Sequence, residues 1–251
     1  MDTKRHENLD SGWYSLYKVG GVAALSCAVM YIITLIVYIP ANLASPPPET
    51  VLEWFRVFED NPVTGLFYLG LADVIIMLLW GPLALALFTV LKKSNRTWSL
   101  IATAFVFIGM SVFIATNTAF SMLSLSHEYA AASTEAQKST LLAAGQAMLA
   151  VTRGTGQLYL GMQLVWLSGL VLSVIMLQSN DFSKTTAWVG ILGLGLLVVG
   201  IIGGGHYTST GEYTLIQGII VAVQYVGGGL LSLVWYILVG LKLIKLGRSE
   251  G

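Results

Sequence analysis

The chain has 251 residues, of which 55% are hydrophobic and 10% charged, with a formal net charge of zero. Soluble domains carry roughly 25% charged residues, so there is too little charge here to cover a water-facing surface, and lipid is the expected partner. Zero net charge argues against nucleic acid, and the single cysteine, Cys27, excludes a disulfide framework or a cysteine-based zinc site.

In chain order, a polar opening with Trp13, Tyr14 and Tyr17 leads into an apolar run, Val19 to Ile39, that ends at Pro40. The run is longer than the 7–15 residues or so of a signal-peptide core and reads as a retained first span (19–39). Pro46 to Pro48 favour an extended segment. Thr50 with Glu53 three residues on is a capping-box pattern. The helix it opens has mixed rather than cleanly striped polarity and is expected in the membrane interface.

Asn61-Pro62 reads as a cap with proline at the first helical position, opening span two (63–91). Gly81-Pro82 in its middle predicts a kink. Lys92, Lys93 and Arg96 close it. Span three covers 98–123. Thr134 and Gln137 form a second capping-box pattern before a helix over 135–151, on the membrane surface or over the bundle mouth. Spans four (156–177), five (186–202) and six (214–241) follow. The expectation is one all-α membrane domain over 1–251, a polytopic bundle of six transmembrane helices with two outside amphipathic helices.

Cationic residues favour cytoplasmic loops. Lys4, Arg5, Lys18, Lys92, Lys93, Arg96, Lys184, Lys242, Lys245 and Arg248 fall on one side of this layout, and only Arg56, Lys138 and Arg153 on the other. Both termini are therefore expected in the cytoplasm of a cell with this chain in its plasma membrane.

Asp73 is the one carboxylate that falls inside an apolar run. A carboxylate at the bilayer centre costs about 2.5–3.5 kcal/mol on the gentlest scale, which amide partners or protonation would offset. Counted from the span ends at 1.5 Å per residue, Asp73 lies about 16 Å deep, Asn117 about 10 Å, Gln163 about 12 Å and Gln224 about 15 Å. These four form one expected polar layer. Tyr159 shares a helix face with Gln163, and Gln217 with Gln224. His127, Arg153, His206 and Glu212 are expected at the outer mouth. Neither His has HExxH spacing, no GxSxG elbow is present, and no metal or cofactor is expected. Among the 27 glycines, Gly190, Gly193, Gly195, Gly200 and Gly203 to Gly205 line span five and Gly227 to Gly229 sit inside span six, where they read as close helix packing or, at the two triple glycines, as a hinge.

The stretch LADVIIMLLWGPLALALFTVLKKSNRTWSLIATAF resembles the second-to-third span region of a group of prokaryotic six-span membrane proteins, domain of unknown function family 4386. Asp73, Asn95 and Arg96 stand at its matching positions. HEYAAASTEAQKSTLLAAGQAMLA is similar to the Ala-rich segment that follows span three there. The resemblance implies a six-helix integral membrane protein and supplies no activity. Gly81-Pro82 and the triple glycines have no counterpart in that pattern.

The leading expectation is a non-enzymatic protein whose outward-facing polar pocket binds or moves a small polar or amphiphilic ligand, coupled to protonation of Asp73. An intramembrane enzyme acting on a lipid, with Asp73 as acid or base assisted by His206 or His127, is the second reading. A structural or partner subunit is the third, and a homo-oligomer around the glycine faces is left open. The two halves show no internal repeat, which counts against a transporter.

Overall fold

The computed structural model describes the backbone of residues 2–44, 48–154, 156–204, 219 and 223–249, and side chains within 14–36, 48–151, 160–199, 219, 223–224 and 226–248. Among the described residues every regular element is helical. These are α1 (Asp2–Ala44), α2 (Val51–Asp60), α3 (Pro62–Tyr68), α4 (Leu71–Thr116), α5 (Ala119–Ala131), α6 (Glu135–Gly154), α7 (Gly156–Met176) and α8 (Lys184–Gly204). A π-helical turn, Val223–Gly228, leads into α9 (Gly229–Ser249). Among the described residues three helical stretches are long and apolar enough to cross a membrane: Tyr14–Ile36, Leu71–Ala131 and Val226–Arg248. They mark the chain as a membrane protein.

The 46-residue α4 is two helices joined at Asn95, whose dihedrals (φ −153°, ψ 94°) are extended. The second arm folds back on the first. Gly81 lies beside Phe107, and Asn117 donates to the Leu69 carbonyl oxygen. Both pairs straddle Asn95 almost evenly, which makes an antiparallel hairpin. Asn95 Oδ1 accepts from the Trp98 amide at 3.2 Å and caps the second arm. Asn95 is the one residue inside α4 with non-helical dihedrals. Pro82 lies inside the first arm with helical dihedrals, and its carbonyl packs toward Gly20 of α1.

The long helices pack as alternating antiparallel neighbours. Gly20 meets Ala86 of the first α4 arm, Gly109 of the second arm meets Gly161 of α7, Gly169 meets Leu194 of α8, Gly193 meets Ser232 of α9, and Gly240 meets Leu25 of α1. The last contact closes the ring. Helices in lipid associate by close backbone approach, and these small residues supply it, as the packing reading of the glycines requires. At the ring's centre Trp80 stacks on Trp235 with centroids 5.8 Å apart. Its indole nitrogen donates to the Tyr236 hydroxyl at 2.8 Å.

A second hydrophobic core lies at one end. Val51, Trp54, Phe55 and Phe58 from α2 pack with Leu69, Ala119, Met122 and Leu149. Their spacing of three and four makes α2 a cleanly striped helix, correcting the mixed polarity expected from sequence. Its apolar face is covered by α5 and α6. Both capping boxes are formed: Thr50 with Glu53, and Thr134 with Gln137. Asn61 caps α3 through the Thr64 amide. Continuous span two is also corrected, because α3 ends at Tyr68 and α4 begins at Leu71. The backbone of α1 runs helical through Pro40 to Ala44, past the expected end at Ile39.

Candidate functional site

The break between α3 and α4 makes the site. Gly70 has φ 95° and ψ 25°, a left-handed conformation that costs an L side chain strain. It occupies the cap position of α4 without a side-chain cap bond. Asp73 is third in the first turn of α4, where the helix dipole favours a negative charge. It is not 11 residues down a continuous helix, since α3 and α4 part at Leu69 and Gly70.

From Asp73 the inner face of α4 continues through Met77, Trp80, Ala84, Leu87 and Leu91, at helical spacing of three and four. All five are buried, whereas Asp73 is only half-buried. Asp73 thus heads the core-facing stripe at the end of the bundle next to the second core.

A second helix break lies opposite. Asn117 (φ −72°, ψ 127°) ends α4. Its Nδ2 donates to the Leu69 carbonyl at 3.1 Å, and its Oδ1 accepts from the Ala119 amide at 3.1 Å. One side chain thereby ties the two breaks together and caps α5. A Cβ placed on Gly70 would lie 3.2 Å from Asn117 Nδ2 and 3.5 Å from Asp73 Oδ2, so the two side chains converge on this glycine. Tyr31 of α1 is within electrostatic reach of Asp73 and of Tyr236, and its hydroxyl abuts Gly229 where the π-helical turn ends. π-turns inside α-helices are frequent at functional sites. Among the described residues Asp73 itself makes no hydrogen bond and no ion pair.

The other expected site residues divide. Gln163 donates to the Val198 carbonyl at 3.4 Å and Gln224 to the Leu197 carbonyl at 3.3 Å. These two glutamines grip successive carbonyls of α8 from α7 and from the π-helical turn. The expected layer of four therefore resolves into two pairs, one on Gly70 and one on α8. His127 is exposed on α5 beside exposed Glu128, whose Oε1 accepts from the Ser124 hydroxyl at 3.3 Å. The side chains of Tyr159 and Arg153, and residues His206, Gln217 and Glu212 altogether, lie outside the described residues. Among the described residues no three His, Cys, Asp or Glu side chains group as metal ligands.

An open groove of about 590 Å³ runs between α5 and α6, lined by Glu128, Ser133, Gln137, Thr140 and Leu141 among others. Asp73 is not part of its lining. The groove is a cleft among surface residues of α5 and α6, and Asp73 is the better candidate because a half-buried carboxylate beside an apolar stripe, without a partner among the described residues, demands a compensating function or partner.

Sequence reading missed Gly70 and Tyr31. The signals were present: a glycine three residues before the acid interrupts an apolar run, and Tyr31 is a hydroxyl within span one.

No curated protein and no solved structure matches this chain. The model of the family described as Domain of unknown function (DUF4386) matches residues 19–240. A match over so much of the chain means that this protein belongs to that family.

Proposed function

We propose that the chain is a six-span bundle of the cell membrane with both termini cytoplasmic, and that Asp73 centres an outward-facing polar site that binds or moves a small polar or amphiphilic ligand. The six-span layout is supported by the α4 hairpin. Each arm is roughly 22–24 residues, about 33–36 Å at 1.5 Å per residue, enough for a hydrocarbon core of about 30 Å. Lys92, Lys93 and Arg96 at its turn lie at the same end as Lys18, Lys184, Lys245 and Arg248, with Asp181 the one acid in the α7–α8 loop there, while Glu53, Glu59, Asp60, Glu128 and Glu135 lie on α2, α5 and α6 at the other end, with Arg56 and Lys138 the basic residues among them. This segregation supports a cytoplasmic basic end.

One observation carries the ligand reading. The amides of Asn117, Gln163 and Gln224 are all spent on backbone carbonyls, but the Asp73 carboxylate on the core-facing stripe has no partner among the described residues. Interhelical polar contacts in membranes act as packing glue worth about 0.6 kcal/mol each, and the three amides fit that use. The same three bonds favour a second reading, a structural or partner subunit, for the α7–α8 end of the layer.

Thermal unfolding of wild type and Asp73→Asn, from about pH 5 to 9 and against a panel of lipids and metabolites, tests the proposal. A ligand shift or pH dependence present in wild type and lost in Asp73→Asn is the expected result. Equal stability of both proteins at every pH, with no compound shifting either, would assign Asp73 to packing and refute the pocket.

A further inference from the structure

Two exposed stripes run side by side on the ring's outer surface. On α9, Leu230, Val234, Ile237, Leu241, Lys245 and Arg248 recur at intervals of three or four and so share a face. The first four are exposed apolar side chains, and the last two are exposed cations. On α1, Val29, Val22 and Lys18, spaced seven and four, also share a face, and all three are exposed. The two helices are antiparallel, so their basic ends must meet at one end of the pair. Gly247 lets them meet closely: a Cβ there would lie 2.8 Å from Lys18 Cγ and 3.0 Å from the Tyr14 carbonyl oxygen.

Lys18, Lys245 and Arg248 are thus brought to one end of a two-helix apolar seam. Among the described residues none of the three makes an ion pair or hydrogen bond. Among the described residues no counter-charge offsets them; three like charges repel one another, and an anion would reverse that. The apolar stripe below them extends from Lys245 to Leu230, about 22 Å at 1.5 Å per residue, which exceeds the roughly 15 Å depth of one leaflet's hydrocarbon. Tyr14 and Tyr17, with centroids 6.4 Å apart, lie beside Lys18 at the level where interfacial aromatics collect.

We propose that Lys18, Lys245 and Arg248 bind the phosphate of an anionic phospholipid whose acyl chains lie along the α1–α9 seam. A phosphate accepts from a guanidinium fork and from ammonium groups at once. The apolar stripes make the lipid, rather than a free anion, the source of that phosphate. This site is separate from Asp73 and does not depend on what Asp73 binds.

The test is retention of phosphatidylglycerol against phosphatidylcholine by the detergent-purified protein, read by native mass spectrometry. A juxtamembrane cation is worth about fivefold in affinity for an anionic headgroup. The triple variant Lys18→Gln/Lys245→Gln/Arg248→Gln is therefore expected to lose retained phosphatidylglycerol at least tenfold. Lys92→Gln/Lys93→Gln/Arg96→Gln, which removes the same charge from the α4 turn, is expected to keep it. Unchanged retention in the first variant, or equal loss in both, would overturn the proposal. Displacement of the lipid by millimolar inorganic phosphate would overturn the lipid as source and leave a small-anion site. Should the triple variant fail to fold, wild type decides alone: retention must fall as salt rises from about 0.05 to 0.5 M, and constancy across that range refutes an electrostatic headgroup site.

Discussion

Removing one oxygen from the centre of the ring tests how the bundle is held. Tyr236→Phe deletes the hydroxyl that accepts from Trp80 Nε1 at 2.8 Å. Both side chains are buried, and both rings pack against Trp235. The aromatic volume stays, so no cavity forms, and the change isolates the hydrogen bond. An indole N–H left without a partner in an apolar interior costs about 1–3 kcal/mol. In membranes the unfolded helices find other partners, and measured interhelical bonds average about 0.6 and reach about 1.7 kcal/mol. The expected loss is therefore about 1–2 kcal/mol. Trp80→Phe costs more, because it also gives up the stack on Trp235 and the close fit on Gly169. The double variant should cost less than the sum of the two by about 0.6–1.7 kcal/mol. Unfolding free energies from titration of mixed micelles with a denaturing detergent, read by tryptophan fluorescence and circular dichroism, complete the cycle. Additivity within about 0.3 kcal/mol would refute the bond as a contributor. Among the described residues the neighbouring Trp235 Nε1, and Trp54 Nε1 in the second core, are buried without a partner, so the fold already tolerates two such orphans, and the bond counts as a contributor only if a third proves costly.

Three further outcomes are expected. Gly193→Ala would place a Cβ 2.8 Å from the Ser232 amide nitrogen and 2.9 Å from Leu231 Cβ. Overpacking of about 1–3 kcal/mol then exceeds the helical gain of about 0.5–1, whereas at Gly195, 3.9 Å from its neighbour, alanine should be neutral or stabilising. Equal melting temperatures for the two variants would contradict the α8–α9 contact. Gly70→Ala, at φ 95°, should cost about 1–2 kcal/mol, and Gly70→Asn less; a gain in either would mean that the break between α3 and α4 is not fixed by this residue. The Glu53 carboxyl is held below its ordinary 4.5 by the Thr50 and then the Glu49 backbone amides, which donate to it at 3.1 and 2.8 Å. A lowered folded value means that its contribution is complete above 4.5 and disappears as pH falls through the folded value. The protection factor at the start of α2, the exchange rate referenced to the intrinsic rate at each pH, should therefore fall on acidification in wild type, and an equal fall in Glu53→Gln would disprove the link.

The resemblance that sequence suggested was correct, and so were the capping boxes and the helix over 156–177, because each rests on neighbours in the chain. Thr50 and Glu53 are three residues apart, and a helix brings such residues together whatever surrounds it. The end of span two was legible in Lys92, Lys93 and Arg96, since charge cannot stay in hydrocarbon. Its beginning was not. The apolar run from Val63 reads as one helix by composition, and the left-handed Gly70 that interrupts it is fixed by Asn117, 48 residues away, reaching the Leu69 carbonyl. Likewise α2 looked unstriped until α5 and α6 showed which face they cover.

Composition and local spacing by themselves determined a helical membrane chain with its basic residues gathered at turns and ends, because hydropathy and capping act over a few residues. Only the tertiary structure decided that Asp73 heads the buried stripe beside Gly70, that Gln163 and Gln224 close on α8 instead of joining it, and that Lys18 meets Gly247. Each of those depends on which helix faces approach across the ring, and backbone approach between distant segments leaves no periodic trace in the sequence.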